Sequence, residues 1–353
     1  MRRIAATVIM TVLIAGASHS ADVALVNATL SLQQHPGEGI DTYYEAVKRG
    51  LEQNAVQYDT VTDEQIVDGA LSGYKLAIFP YTLDTTPEHT QAILDYVEAG
   101  GNLMWFYTVP PALQETLGIA ADTYRRNEYE GQLHTMEFVD DAPSGFPERL
   151  RQESRSARVV TELTDDARVI ADWLDSEGNS TGTPAVVLTD HSVYVVHVLW
   201  PVADTAAQHH LLLATIGHFV SGAWEQIVDS AIAGALMEAH YESMEAFVND
   251  MRGGPRAEPL SLEARKLAES AREALVEEDY AGALADAQKV HALVQRAVAS
   301  CFPSRTYEMR GAWMSFPRDD MDWDATMAEL EAANFDAVFP LMCTPGASAY
   351  PSE

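Results

Sequence analysis

The chain has 353 residues, 47% of them apolar, and carries 53 acidic against 22 basic side chains for a formal charge of −31. That apolar fraction excludes a disordered chain, and the length accommodates two or more domains. A surface this negative repels nucleic acid and anionic membranes, so neither is expected as a partner.

The first element is a targeting segment. Arg2 and Arg3 precede an uncharged apolar run, Ile4 to Ala17, and Ser18 and Ser20 supply the small residues a signal peptidase requires. This pattern predicts a secretory signal peptide over residues 1–20, with a mature start at Ala21 or Asp22 and a periplasmic or secreted protein. The run is shorter than the ~20 residues a membrane span needs, so no transmembrane segment is expected after cleavage. Cys301 and Cys343 are the two cysteines. One bridge between them fits an oxidising compartment, and the sequence leaves their pairing open.

From Asp22 to about Val220 short apolar runs alternate with amphipathic helices. Val23–Val26, Val56–Thr60, Lys75–Phe79 and Leu103–Tyr107 read as strands. Tyr43–Asn54 reads as a helix, and Pro87 opens another that Gly100-Gly101 ends. This order predicts right-handed crossovers and a parallel sheet. Ala185–Leu188 and Val193–Leu199 read as an antiparallel hairpin, and His209–Phe219 as a closing helix. The runs Tyr74–Pro80, Tyr96–Leu103 and Pro184–Leu199 resemble the flavodoxin-like fold of class I glutamine amidotransferases, as found in the trimerisation domain of certain beta-galactosidases. The resemblance implies an α/β, flavodoxin-like domain over residues 21–222. An active member needs a nucleophilic Cys on the strained turn after the fourth strand. Here that stretch reads Tyr107-Thr108-Val109-Pro110-Pro111, so no nucleophile is expected.

Residues 223–304 read as a helical connector. Trp224 to Met251 has helical spacing, Arg252–Pro255 breaks it, and Ser261 is expected to cap the next helix. Glu277–Tyr280 is a tight connection before a helix over Ala281–Ala299.

The final segment, 305–353, shows a strand over Glu308–Met314, a helix from Trp323 with Asp322 as N-cap, and a second strand over Phe335–Met342. Arg310-Gly311-Ala312-Trp313, then Asn334–Pro340, then Ala349–Glu353 resembles the opening of the glycosyl-hydrolase-like family 10 barrel. The resemblance implies the start of a TIM (β/α)8 barrel acting on polysaccharide or peptidoglycan glycan. The two carboxylates of glycoside hydrolysis would come from later strands, so the catalytic residues stay unassigned. Arg310, Trp313 and Tyr350 are the candidate substrate contacts, since aromatic rings stack on sugar faces. Leu341–Gly346 departs from the family's usual polar and aromatic strand end. The alternative reading is a non-enzymatic glycan-binding or scaffold protein. No cofactor and no metal are expected: Asp320, Asp322, Asp324 and Glu331 mimic a calcium loop, but Ala325 stands where that loop needs Gly. The adjacent His209 and His210 cannot form an i, i+4 metal pair. Oligomeric state stays open.

Overall fold

The computed structural model of the chain describes residues 21–199, 204–302, 309–315, 322–341, 343–344 and 347–348. The chain divides into two compact units between Val298 and Ala299. The first unit begins with β1 (Val23–Asn27), α1 (Thr29–Gln34), α2 (Ile40–Gln53), β2 (Asp59–Thr62), α3 (Asp63–Val67), β3 (Leu76–Phe79), α4 (Pro87–Glu98) and β4 (Asn102–Phe106). Strands follow: β5 (Ile119–Arg126), β6 (Leu133–Phe138), β7 (Arg149–Ser154), β8 (Ser156–Leu163), β9 (Arg168–Leu174), β10 (Ser180–Leu188) and β11 (Ser192–Val195). Helices α5 (Thr205–Phe219), α6 (Ala223–Glu238), α7 (Met244–Met251), α8 (Ala257–Val276) and α9 (Tyr280–Ser300) complete it, and the division falls in the last turn of α9.

A nine-stranded sheet organises this unit in the order β2-β1-β3-β4-β11-β10-β9-β6-β7. The five strands from β2 to β11 run parallel, and the remaining pairings are antiparallel. The chain is therefore mixed α/β, with the parallel half at the start, as the alternating pattern predicts. Every residue of β3 and β11 is buried, and so are four of five in β1 and β4. Strands covered on both faces read as continuous apolar runs rather than alternations. The core centres on Phe79 and Trp105, stacked 4.3 Å apart across the β3–β4 pair. Trp105 donates its indole N–H to the Thr108 carbonyl at 2.7 Å, so its one polar group is satisfied in the core.

Local chemistry fixes the helix ends. Thr62 and Gln65 form a reciprocal capping box on α3. The Thr86 hydroxyl accepts the His89 N–H ahead of Pro87, the first residue of α4. Gly100 ends that helix region at φ +94°.

One expectation in the connector is corrected. Ser261 caps no helix: it lies inside α8, and its hydroxyl donates to the Glu258 carbonyl at 2.9 Å. The stretch from Trp224 to Met251 is two helices, α6 and α7, parted near His240, which takes φ +64° without a Gly to announce it. Helices α6 to α9 share a second apolar core built largely from Ala264, Ala268, Ala271, Ala283, Ala287 and Val290.

The second unit contains β12 (Gly311–Ser315), α10 (Trp323–Ala332), β13 (Ala337–Leu341), and two short paired strands, β14 (Cys343–Thr344) and β15 (Ala347–Ser348). β12 and β13 pair in parallel from Gly311↔Ala337 to Ser315↔Leu341. Asp322 caps α10 as expected, its carboxylate accepting the Ala325 N–H at 3.0 Å. None of the residues of α10 is buried. The unit is a β–α–β piece, and a closed barrel is not seen among the described residues.

Candidate functional site

In open α/β sheets ligands settle outside the carboxyl ends of the parallel strands. Here β1, β3, β4 and β11 end at Asn27, Phe79, Phe106 and Val195 on one edge. The residues just beyond these ends carry rings. Tyr81, Tyr107 and His197 stand in a row, with centroids 5.7 Å and 5.1 Å apart, and Tyr43 of α2 extends it at 5.5 Å from Tyr81.

Tyr107 occupies the turn after the fourth strand, where an amidotransferase would carry its Cys. Its φ is +66°. A left-handed conformation in a residue with a Cβ costs roughly 1–2 kcal/mol, so tertiary contacts must hold it. The Tyr107 N–H donates to the Val195 carbonyl at 2.8 Å, and its own carbonyl accepts the buried Tyr194 hydroxyl at 2.6 Å. The turn after β4 is strained, and a phenol stands on it. Burial raises the Tyr107, Tyr81 and Tyr43 phenols above the usual tyrosine range, so all three remain protonated donors at neutral pH.

The segment after β11 is clamped by buried polar groups. The Val198 carbonyl accepts both His197 Nδ1 at 2.9 Å and the Gln152 side-chain amide of β7, and Gln208 of α5 donates to Gln152 at 3.1 Å. Burial pushes the His197 imidazole down to about 4, so it is neutral near pH 7, with its proton on Nδ1. No described residue supplies this histidine with a nucleophile, and the ring contact to Tyr107 is its place in the row.

The antiparallel β5–β8 pair adds a charged pair. Arg158 Nε donates to Asp122 at 2.6 Å, and Gln114 donates to the other carboxylate oxygen at 2.9 Å. Asp122 is buried and Arg158 is mostly so. The hydrogen bond to Asp122 raises the Arg158 guanidinium further above its ordinary value. Ser156 Oγ lies 3.4 Å from the Tyr107 hydroxyl. Tyr124 of β5 is half exposed, and its hydrogen bond to Arg126 lowers its phenol.

The three sequence candidates lie elsewhere, in the second unit. Trp313 sits mid-strand on β12 with 81% of its surface exposed, its ring tilted against Phe339 at 5.3 Å. Arg310 precedes β12, its backbone N–H bonded to the Asp336 carboxylate at 3.0 Å and its carbonyl accepting the Asp336 N–H at 2.8 Å. Tyr350, like Asp319, Asp320 and Glu353, lies outside the described residues. Trp313 and Arg310 belong to one strand and its approach. Among the described residues no group of three His, Cys, Asp or Glu side chains is placed to hold a metal ion, and no helix is long and apolar enough to cross a membrane.

The tyrosine row was missed by sequence reasoning. Its signal was available: Tyr81 and Tyr107 each stand within two residues of a parallel strand's end, where the strand-end rule places ligands.

No protein-family model matches the chain, and no curated protein matches it. Solved structures do. A ThuA-like protein from Bacteroides uniformis aligns over 59% of this chain and 96% of its own, with 16% identity and a TM-score of 0.45. The glutaminase domain of Trypanosoma brucei CTPS aligns over 56% of this chain and 94% of its own, with 12% identity and a TM-score of 0.37. An alpha-L-fucosidase from Paenibacillus thiaminolyticus aligns over 59% of this chain but only 33% of its own, with 19% identity and a TM-score of 0.38. Each is a partial likeness at low identity, and the mixed α/β class of the chain rests on its own strand order.

Proposed function

We propose that the protein is an exported glycoside-hydrolase-like protein that acts on polysaccharide or bacterial cell-wall glycan. In this reading residues 21–222 are an amidotransferase-like domain without a nucleophile, residues 223–304 a helical connector, and residues 305–353 the opening of a (β/α)8 barrel of the glycosyl-hydrolase-like family 10 type. The observation that carries the reading is the β12–α10–β13 unit, parallel and in register, with Trp313 projecting from its first strand. A (β/α)8 barrel repeats that unit, and its active site gathers side chains from several strand ends. The two carboxylates that protonate the leaving group and attack, or activate water, must stand a few ångströms apart. Two strands do not hold such a pair, so we place the carboxylates beyond residue 353.

The test is release of reducing sugar from peptidoglycan and from plant and microbial polysaccharides, by the 353-residue chain and by the complete product of its gene. The reading expects activity in the second and none in the first. Activity in the 353-residue chain that disappears on changing Asp319, Asp320 or Glu353 would overturn the placement of the site. The exposed ring of Trp313 favours the second reading, a glycan-binding protein without turnover. Binding with no hydrolysis by the complete product would establish that reading instead.

A further inference from the structure

The tyrosine row at the carboxyl edge of the sheet takes no part in the proposed hydrolysis, yet it has the make-up of a ligand site. Partly exposed rings of Tyr43 and Tyr124 come from α2 and β5, and that of Tyr107 from the turn after β4. Tyr81 lies within electrostatic reach of the Tyr43, Tyr107 and Tyr124 phenols and of the Glu38 carboxylate. Arg158 spends only Nε on Asp122, and its Nη groups make no hydrogen bond to a described residue. Tyr107 is held in a left-handed conformation that Gly would adopt freely, which is the kind of local strain retained at functional positions.

The chemistry of this set selects the ligand class. Phosphate sites use clustered backbone N–H groups at a Gly-rich turn; here the turn is Tyr107-Thr108-Val109-Pro110-Pro111, and two of its residues have no N–H. Glu38 and the overall negative charge disfavour anions. A neutral ring with one apolar face and a rim of hydroxyls matches protonated phenols, one carboxylate and unspent guanidinium donors. We propose that this edge is a saccharide-binding site, in which a pyranose ring packs on Tyr107 and Tyr124 and its hydroxyls are bonded by Arg158 and Glu38. The inference rests on the chain being directed at glycans and assigns a second, non-catalytic contact to its first unit.

Titration calorimetry of the purified protein with chitotetraose and with cellotetraose tests it. Two variants keep the fold: Tyr124→Ala removes a half-exposed ring, and Tyr107→Gly suits the positive φ. Circular dichroism confirms that each is folded. The proposal expects at least one tetrasaccharide to bind, with affinity reduced tenfold or more in both variants and unchanged in Val276→Ala, which trims an exposed side chain at the end of α8. Wild-type affinity in both tyrosine variants, with loss in Trp313→Ala, would overturn this site while leaving the glycan reading in place. Absence of binding to either sugar by the unaltered protein would also overturn it, and hydrolysis by the complete gene product would then decide the glycan reading separately.

Discussion

Asp63 of α3 and His89 of α4 face one another in the first unit, Oδ1 to Nε2 at 3.6 Å, with side chains 7% and 1% exposed. The second Asp63 oxygen accepts the Leu30 N–H at 2.7 Å and the Thr29 hydroxyl at 3.4 Å, while neither ring nitrogen of His89 has a hydrogen-bond partner. Burial pushes Asp63 up to about 6 and His89 down to about 4. Between about pH 4 and 6 both are therefore neutral in the fold. In the unfolded chain, at ordinary values of 3.8 and 6.5, they are carboxylate and imidazolium. Each state holds one proton in total, and stability changes with pH only where the two states differ in bound protons. The raised Asp63 contributes stability below its unfolded value and loses it as pH rises through about 6. The depressed His89 contributes stability above its unfolded value and loses it as pH falls through about 4. Each shift is worth about 3 kcal/mol at 1.36 kcal/mol per unit, so in the intact pair the two slopes cancel. Neither shift has the partner among its causes, so removing one residue exposes the other. His89→Leu is expected to lose about 3 kcal/mol relative to the parent between pH 4 and 6.5. Asp63→Asn is expected to gain a similar amount over the same interval. Urea unfolding of the three proteins at half-unit steps, read as variant minus parent, measures this. Flat difference curves would refute the reasoning. A His89→Leu protein that gains stability as pH rises would show that Asp63 is ionised in the fold.

Gly145 sits at φ +95°, and a Cβ there would lie 2.4 Å from the Trp224 ring, which stacks on Tyr280 at 5.1 Å. Gly145→Ala combines strain with overpacking and should cost about 3 kcal/mol in urea unfolding, enough to loosen α6 and α9 from the sheet; a loss under about 1 kcal/mol would mean that the Trp224–Tyr280 stack yields easily. Trp313→Ala removes an exposed ring and should leave the unfolding midpoint unchanged while weakening retention on insoluble glycan; unaltered retention would remove Trp313 from the contact surface. With Tyr107 on the elbow, the protein should release no ammonia from glutamine and leave thiol-directed probes unreacted within residues 21–222, and any turnover abolished by one substitution there would contradict this. Mass spectrometry of the exported protein should find a first residue of Ala21 or Asp22, and Met1 retained in a membrane fraction would favour an anchor.

The parallel half of the sheet was legible because its strands are buried on both faces, so that Val-Ala-Leu-Val and Leu-Ala-Ile-Phe stand out as apolar runs. Pro87 and Asp322 marked helix starts through chemistry that acts locally. The strands β5 to β9 were not legible. In β7 the buried face is Leu150, Gln152 and Ser154, so two of three inward positions are polar and hydropathy shows no alternation. Gln152 is inward because the Val198 carbonyl and Gln208 satisfy it, a contact that no local pattern reveals. Ser261 misled for the complementary reason: a hydroxyl that caps helices can equally bond back to a carbonyl inside one.

Tyr107 joins these two kinds of failure to function. Sequence preference assigns a left-handed turn to Gly or Asn, and a search for the elbow's chemistry looks for Cys. Tyr107 is neither, yet the elbow's shape persists, held by the Tyr194 hydroxyl and the Val195 carbonyl from the neighbouring strand. The strain is therefore a property of the β4–β11 pair and not of a nucleophile. Retaining a strained bulky residue where Gly would relieve the cost makes sense if the ring itself is used. The turn carries a held tyrosine in place of a Cys, in a row with Tyr43, Tyr81 and His197, and that row directs attention to binding.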